Sequence, residues 1–336
     1  IETTMWKRAL TAVLLAGLGG GGVACDRQGP AATVEVASPE KATTSPPEIA
    51  QTPAAKPRPL PRLPEEFLRE QEQRLAAARE DLAADPKDVE ALIWVGRRLA
   101  YLGHYDEAIE VFTQGLADHP REAKLYRHRG HRFITTRQFN RAAVDLERAV
   151  WLVRDQVDET EPDGLPNLRG IPLSTTQFNI WYHLGLAYYL QGAFDHALRA
   201  YQECLEISGN PDLLSATTHW LYMTLRRLGR EEEASEVLEP IHAEMEIIEN
   251  EEYHRLLLMY KGELVPEQLL DDARIEGGVP TATVAYGVGN WYLYNDLAER
   301  AEEIFTEIVA GDQWSSFGYI AAEAEVERAP PEEIIR

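Results

Sequence analysis

Apolar residues recur at helical spacing along most of this 336-residue chain. The stretch Val89–Pro120 shows the pattern most clearly, because Leu92, Val95 and Leu99 fall on one face of a helix. Gly103 follows at a point where glycine readily takes the positive φ that ends a helix. A second apolar face comes next, and the closing proline cannot continue a helix. The stretch is therefore predicted to form two short helices joined by a tight turn.

This helix pair recurs after a fixed interval of 34 residues. The equivalent positions are Gly96 and Gly130, Tyr105 and Phe139, Ala108 and Ala142, and Phe112 and Leu146. A residue without a Cβ at Gly96 lets the second helix approach the first closely. One such pair cannot bury its own apolar faces, so the core must come from stacking several repeats.

The 34-residue pattern resembles the tetratricopeptide repeat (TPR). The resemblance covers residues 89–310, with its clearest repeats at Val89–Pro120, Ala123–Leu152 and Phe178–Ser208. It implies an all-α, TPR-like α-solenoid, a right-handed superhelix of antiparallel helix pairs with about five to six repeats. It also implies a protein-binding scaffold whose concave groove is lined by the first helix of each repeat.

The solenoid is predicted to occupy residues 87–328. A charged amphipathic helix at residues 65–86 does not fit the repeat register, and we expect it to cap the first repeat, since terminal repeats are usually atypical. A short tail, residues 329–336, follows the last predicted helix.

The repeat register breaks once, between Gly130 and Gly185, which are 55 residues apart. The excess is assigned to an inserted loop at residues 153–172, because this stretch is rich in the residues that favour turns. Its acidic run, Asp158–Gly164, lacks the alternating ligands of an EF-hand calcium loop. The loop is therefore interpreted as contacting a partner or as solvated.

The N-terminal residues resemble a bacterial lipoprotein signal. A basic start at Met5–Arg8 precedes the ten-residue apolar run Ala9–Leu18, which has the length of a signal peptide and is too short to span a bilayer. Val23 and Ala24 then precede Cys25, which the resemblance implies is lipidated. The sequence departs from the signal at Gly22, where leucine is usual, so an ordinary cleaved signal is the alternative.

Residues 1–25 are thus predicted to be a signal and lipidation region. Residues 26–64 are predicted to be a disordered linker, since nine of these 39 residues are proline and no periodic apolar face occurs. The expected location is the periplasmic side of a bacterial membrane. Asp26 resembles an inner-membrane retention signal of some bacteria, and the choice between inner and outer membrane stays open.

Charge is distributed unevenly along the chain. The formal net charge is -23, which argues against nucleic acid as a partner because phosphates would be repelled. Residues 231–336 alone carry -20, whereas residues 121–154 carry +6. The acidic third is interpreted as a solvated surface, or as one that steers partners electrostatically.

The resemblance to TPR proteins implies a set of groove residues. The positions that line the groove in that family hold Arg97, Lys124, Arg127, His131, Tyr182, Tyr189, His219 and Arg226 here. Arginine can bind a carboxylate with two parallel hydrogen bonds, so the predicted ligand is an acidic segment or a C-terminal carboxylate of a partner. TPR proteins that clamp a terminal carboxylate usually supply asparagines, and Arg97 and His131 replace them here. Two alternatives stay open: these charges are solvated or pair with the acidic C-terminal third, or the acidic tail folds back and competes for the groove.

Catalytic motifs are absent from the sequence, so an enzyme is not predicted, and neither is a cofactor. His128 and His131 lie three residues apart on one helix, but no further metal ligand is placed beside them. Cys204 falls at a helix-packing position and is predicted to be buried. The alternative to a membrane-anchored adaptor is an exported protein that binds a solute or glycan at the tyrosine-rich third repeat.

Overall fold

The structure is a computed structural model that describes residues 63–277 and 279–328, apart from the side chains of residues 276, 279 and 280. The predicted signal region, Cys25, the linker up to residue 62 and the tail at residues 329–336 lie outside the described residues. Across the described part of the chain, no helix is long and apolar enough to cross a membrane.

Fourteen helices account for the regular structure of the described residues, and the one strand-like pairing among them is an isolated bridge between Thr160 and Thr175. The helices are α1 (Glu65–Ala84), α2 (Val89–Tyr101), α3 (Tyr105–Asp118), α4 (Ala123–Thr135), α5 (Phe139–Val153), α6 (Thr176–Leu190), α7 (Phe194–Glu206), α8 (Pro211–Arg227), α9 (Glu231–Glu236), α10 (Glu251–Tyr260), α11 (Pro266–Glu276), α12 (Val279–Leu293), α13 (Ala298–Ala310) and α14 (Phe317–Arg328). The predicted all-α solenoid class is confirmed.

Six helix pairs run from α2–α3 to α12–α13, and each pair packs on its neighbours. The helix α1 packs on α2, where Leu75 and Ala78 join the core of the first repeat. The helix α14 packs on α12 and α13 at the other end. We call the surface formed by α2, α4, α6, α8, α10 and α12 the first-helix face.

A glycine-to-large-residue contact recurs where the two helices of a pair cross. In four pairs a glycine on the first helix faces a large side chain sixteen residues later. A Cβ added to the glycine would lie 2.3 to 2.8 Å from that side chain in the pairs Gly96–Phe112, Gly130–Leu146, Gly185–Tyr201 and Gly289–Phe305. Real Cβ atoms do not approach other atoms so closely, so the predicted role of Gly96 in close helix packing is confirmed.

The turn within each pair requires a positive φ. Gly103 has a φ of 83°, as predicted, whereas Arg137 takes the equivalent place in the second repeat with a φ of 64°. A non-glycine residue in this region costs about 1–2 kcal/mol. The Arg137 side chain offsets this cost, because it donates to the Glu323 carboxylate at 2.6 Å and to the Trp314 carbonyl at 2.7 Å.

The C-terminal helices contact the early repeats directly. The ring of Trp314 meets that of Tyr105 edge-on at 5.5 Å, and Arg328 donates to the Leu190 carbonyl at 2.9 Å. Arg227 and Glu325 form a partly buried ion pair at 2.8 Å. Residues far apart in sequence therefore meet at the ends of helices in the early repeats.

Cys204 lies in this core, as predicted, with no exposed surface. Its Sγ is 3.3 Å from the Thr217 hydroxyl. Burial raises the pKa of the thiol to about 12, so the group stays protonated and unreactive at neutral pH.

The close crossing predicts a specific sensitivity at Gly96. We expect Gly96→Ala to lower the free energy of unfolding by about 1–3 kcal/mol, because the new methyl group overlaps the Phe112 ring. Gly209→Ala is the matched control, since the nearest heavy atom to its Cβ is 3.9 Å away. Urea denaturation of both variants measures the effect, and equal stabilities for the two would contradict the packing account.

Candidate functional site

The inserted loop between α5 and α6 crosses the first-helix face. It comprises residues 154–175, slightly longer than the predicted insert, and it is folded on itself. The Glu161 amide donates to the Ser174 carbonyl, and the Thr176 amide donates to the Glu159 carbonyl, both at 2.9 Å. Asp158 accepts from the Gln177 amide at 2.9 Å and so holds the start of α6. These bonds place residues 159–164 against α2, α4 and α6.

The Glu161 carboxylate is the centre of the site, and the residue is only 4% exposed. One of its oxygens is 3.2 Å from Nη2 of Arg127 and 3.9 Å from Nη1 of Arg97. The other accepts from the Asn179 side-chain amide at 3.1 Å. Nε2 of His128 lies 3.7 Å from the carboxylate. A buried carboxylate requires such compensation, because removal from water strongly disfavours an unpaired charge.

The residues that follow Glu161 are held through their backbone. Arg97 donates to the Pro162 carbonyl at 2.8 Å, and Arg98 donates to the Gly164 carbonyl at 2.9 Å. Gly164 lies against the Tyr101 hydroxyl so closely that a Cβ there would be 1.9 Å from its oxygen. The helix α2 thus binds a short segment of the loop through two carbonyls and a carboxylate.

The positive charge at this site comes from arginine. Burial lowers the pKa of Arg127, and the nearby Glu161 carboxylate opposes that shift. Burial also lowers the pKa of Arg132 to about 10, which leaves it charged at pH 7. The pKa values of His128, His131 and His183 lie well below the ordinary value, mainly through burial and then through neighbouring positive groups. These imidazoles are therefore neutral at pH 7.

The structure brings together only part of the predicted groove set. Arg97 and Arg127 meet at Glu161, as described. Lys124 lies at the rim and pairs with Glu90 at 2.8 Å. His131 lies on the same helix as Arg127. Its ring packs against that of His183, with 4.2 Å between the ring centroids, and among the described residues it makes no hydrogen bond with Glu161.

The other predicted residues lie against the C-terminal helices. Tyr189 has no exposed surface, and its hydroxyl accepts from Asn290 at 2.7 Å. The Tyr182 hydroxyl accepts from Trp220 at 2.9 Å. The His219 ring stacks on those of Tyr253 and Tyr260, and the Arg226 guanidinium donates to the Tyr294 carbonyl at 3.1 Å.

In this conformation, the eight predicted residues therefore do not line one accessible groove. Tyr182, Tyr189 and His219 are core residues, because repeats five and six pack over them. Because the tyrosines of the third repeat are buried, they do not form an open site for a solute or glycan in this conformation. A binding role for these side chains would require the C-terminal helices to move away.

Sequence reasoning missed four residues that contact the loop: Tyr101, Arg98, His128 and Asn179. It also missed Glu161 as the group that they surround. A signal was present in the chain, because the acidic run in the insert directly follows the most basic stretch, residues 121–154. Opposite charges this close in sequence indicate that the loop folds back on the preceding repeat.

The family comparison identifies one repeat. Residues 178–211 match the tetratricopeptide repeat family. Repeat three is a tetratricopeptide repeat. This match covers most of α6 and all of α7, and the other helix pairs extend the same architecture on both sides.

Solved structures with similar helix arrangements include three kinds of protein. MamA (AMB-1) is 19% identical over 52% of this chain and 90% of its own, with a TM-score of 0.38. YrrB, described as a TPR protein with an unusual peptide-binding site, is 15% identical over 75% of this chain and 99% of its own, with a TM-score of 0.41. A putative kinesin light chain of Podospora anserina is 16% identical over 73% and 99%, with a TM-score of 0.40. The fold assignment rests on the helix pairs themselves, since these scores are low.

A curated relative is the general transcriptional corepressor ssn6 of Schizosaccharomyces pombe. It is 22% identical over 145 residues, which are 43% of this chain. The match spans only 11% of the corepressor's own length.

The buried histidines predict an acid-sensitive fold. The pKa of His219 is lowered to about 3 by burial, against about 6.5 when unfolded. The unfolded chain therefore binds a proton first, and the contribution of His219 to stability is complete above pH 6.5 and lost as the pH falls. Between pH 7 and pH 5 the loss from this residue is about 2 kcal/mol.

His219→Gln removes this titration and leaves the other buried histidines in place. Urea denaturation at pH 7 and pH 5 should show that the wild-type chain loses about 2 kcal/mol more than the variant. The same pH dependence in both proteins would contradict the buried, neutral state of His219.

Proposed function

We propose that this chain is a non-enzymatic protein–protein interaction scaffold that binds an acidic segment of a partner at Arg97 and Arg127. Proteins with tetratricopeptide repeats bind other proteins or peptides, which supports the general role. The specific role rests on one observation: the Glu161 carboxylate lies within 3.2 Å of Arg127 on the first-helix face. A site that holds one acidic segment of the chain itself has the geometry to hold another.

The chemistry of the site favours a peptide as the ligand. Arg97 and Arg98 donate to backbone carbonyls, which every peptide offers, and Arg127 and Asn179 contact the carboxylate. Charge-assisted hydrogen bonds of this kind are stronger than neutral ones. The contacts thus combine general affinity for an extended backbone with selectivity for an acidic side chain.

Peptide binding tests this proposal. Immobilised protein is exposed to a library of acidic peptides and to matched peptides in which each Glu or Asp is replaced by Gln or Asn. The wild-type chain should enrich the acidic set, and Arg97→Glu with Arg127→Glu should weaken binding by roughly tenfold or more. Arg97→Gln serves as a milder variant, because it leaves the buried Arg127 in place.

Arg199→Glu is the matched control, since Arg199 is exposed on α7. It makes the charge change of one of the two site substitutions, at a position away from the site, and should leave affinity unaltered. Circular dichroism confirms that each variant is folded. Equal affinity in the wild-type chain and the folded double variant would exclude an acidic ligand at these arginines.

For the location of the chain, we propose a lipid anchor at Cys25 in a bacterial cell envelope, on the periplasmic side. The support is the sequence pattern alone: a basic start, a short apolar run and Val23-Ala24-Cys25. The scaffold would then gather envelope proteins, such as cell-wall enzymes, secretion components or outer-membrane assembly factors. The Pro-rich residues 26–64 would act as a spacer between the membrane and the repeats.

Metabolic labelling with a fatty-acid precursor tests the anchor. We expect the wild-type chain and a Cys204→Ser control to incorporate label and to sediment with membranes. Cys25→Ser should incorporate none and should appear in the soluble fraction. Label in the Cys25→Ser chain, or no label in the wild-type chain, would reject this anchor.

A further inference from the structure

We propose that residues 159–164 are an internal ligand of the first-helix face and that they define the pattern a partner must present. That pattern is an extended segment with a glutamate followed three positions later by a glycine. The inference rests on the proposed function, and it deepens it by naming the partner sequence and by stating that the site is closed in the free protein.

The glutamate requirement follows from the contacts of Glu161. Its carboxylate is almost wholly buried and is approached by Arg127, Arg97 and Asn179. Aspartate is one carbon shorter, so its carboxylate would not reach these groups from the same backbone position. The neutral glutamine isostere would leave the buried guanidinium without a counter-charge.

The glycine requirement comes from Tyr101. A Cβ at position 164 would lie 1.9 Å from the hydroxyl oxygen and 2.6 Å from the ring carbon that carries it. The Gly164 carbonyl accepts from Arg98, whose Nη1 also donates to Gln71 at 3.1 Å. Arg98 is itself buried, so the hydroxyl and the guanidinium form a narrow slot that admits backbone without a side chain.

The loop occupies the site without satisfying it fully. Nε of Arg127 is buried and makes no hydrogen bond with any residue that the structure describes. The Glu161 carboxylate contacts the Arg127 guanidinium at Nη2 alone. A segment without the loop's constraints could approach Nε as well and bind both nitrogens, which is the stronger arrangement for arginine and carboxylate.

The loop is also held loosely enough for residues 159–164 to leave the site. Outside residues 158–164 its side chains are largely in water: Val157 is 89% exposed and Leu168 is fully exposed. The distal part is also tied by exposed contacts of Asn167 with Glu249 and of Arg169 with Glu246, and by a bond from Asn210 to the Leu173 carbonyl at 3.0 Å close to the start of α6. The segment can therefore lift from α2 without unfolding a helix. As a tethered competitor it has a high effective concentration, so it weakens the binding of any partner.

The test uses a labelled, end-blocked peptide that copies residues 157–166, and fluorescence anisotropy measures its affinity. Gly164→Ala drives the loop from the slot by steric overlap and leaves every charge in place. We expect this variant to bind the peptide at least about tenfold more tightly than the wild-type chain does, because the tethered competitor is gone. Leu168→Ala is the matched loop control and should bind like the wild-type chain.

Changes in the peptide test the pattern itself. With the Gly164→Ala protein, a peptide that carries Ala at its own glycine, or Gln at its second glutamate, should bind at least about tenfold less tightly. Hydrogen exchange at the Glu161 and Thr176 amides, both bonded within the loop, should be faster in Gly164→Ala than in Leu168→Ala. If Gly164→Ala does not fold, Glu161→Gln provides a second variant with a weakened internal ligand.

Two failures are distinguishable. If acidic peptides bind in an Arg127-dependent manner, but neither the peptide glycine nor the loop variants change affinity, the internal-ligand inference is wrong and the proposed function stands. If no acidic peptide binds any folded variant, both are wrong.

Discussion

In four of the repeats, the two helices cross so closely that the first helix has no room for a side chain at the crossing point. The glycines at positions 96, 130, 185 and 289 each receive a large side chain from sixteen residues later. That contact fixes how the first helix of a pair lies on the second. The outward side of every first helix then falls on one common face, and the groups found there are determined by the repeat register. The first-helix face, with its arginines, is thus a consequence of the packing.

Arginines that become buried when other segments pack over them need negatively charged partners. Three acidic groups of the chain provide it: Glu161 at Arg127, Glu323 at Arg137 and Glu325 at Arg227. Each is at most partly exposed, so the desolvation of one charge is offset by the other. The pairs at Arg127 and Arg137 therefore offset part of the positive charge of residues 121–154 within the molecule. Pairing of the predicted groove charges with the acidic C-terminal third occurs at Arg226, which lies 3.5 Å from Glu231.

Local features of the fold were predictable from the sequence, because they depend on residues close to one another. The interval of 34 residues, the turn at Gly103 and the small residue at Gly96 each reflect contacts within one helix pair. The insert was visible as a break in the interval. The division into domains stays a prediction, since its N-terminal boundaries lie mostly outside the described residues.

Long-range contacts were not predictable from the same pattern. Repeat register does not specify that Trp314 meets Tyr105, or that Asn290 meets Tyr189. Tyr189 and His219 occupy groove positions by register, yet the last repeats bury them. Arg137 at a glycine-type position is explained only by its bonds to C-terminal residues. Of the predicted groove residues, the structure brings Arg97 and Arg127 together at a neighbouring segment, the inserted loop, and their role in binding a partner stays a prediction.

The central claim is that an acidic partner segment replaces residues 159–164 on α2. Hydrogen exchange at the Glu161 and Thr176 amides during titration with an acidic peptide tests it most directly, because both amides are bonded only while the loop is folded down. Replacement predicts that both amides lose protection as the peptide binds, while amides in α2 and α4 keep theirs. Saturating binding with unchanged protection at Glu161 and Thr176 would contradict it.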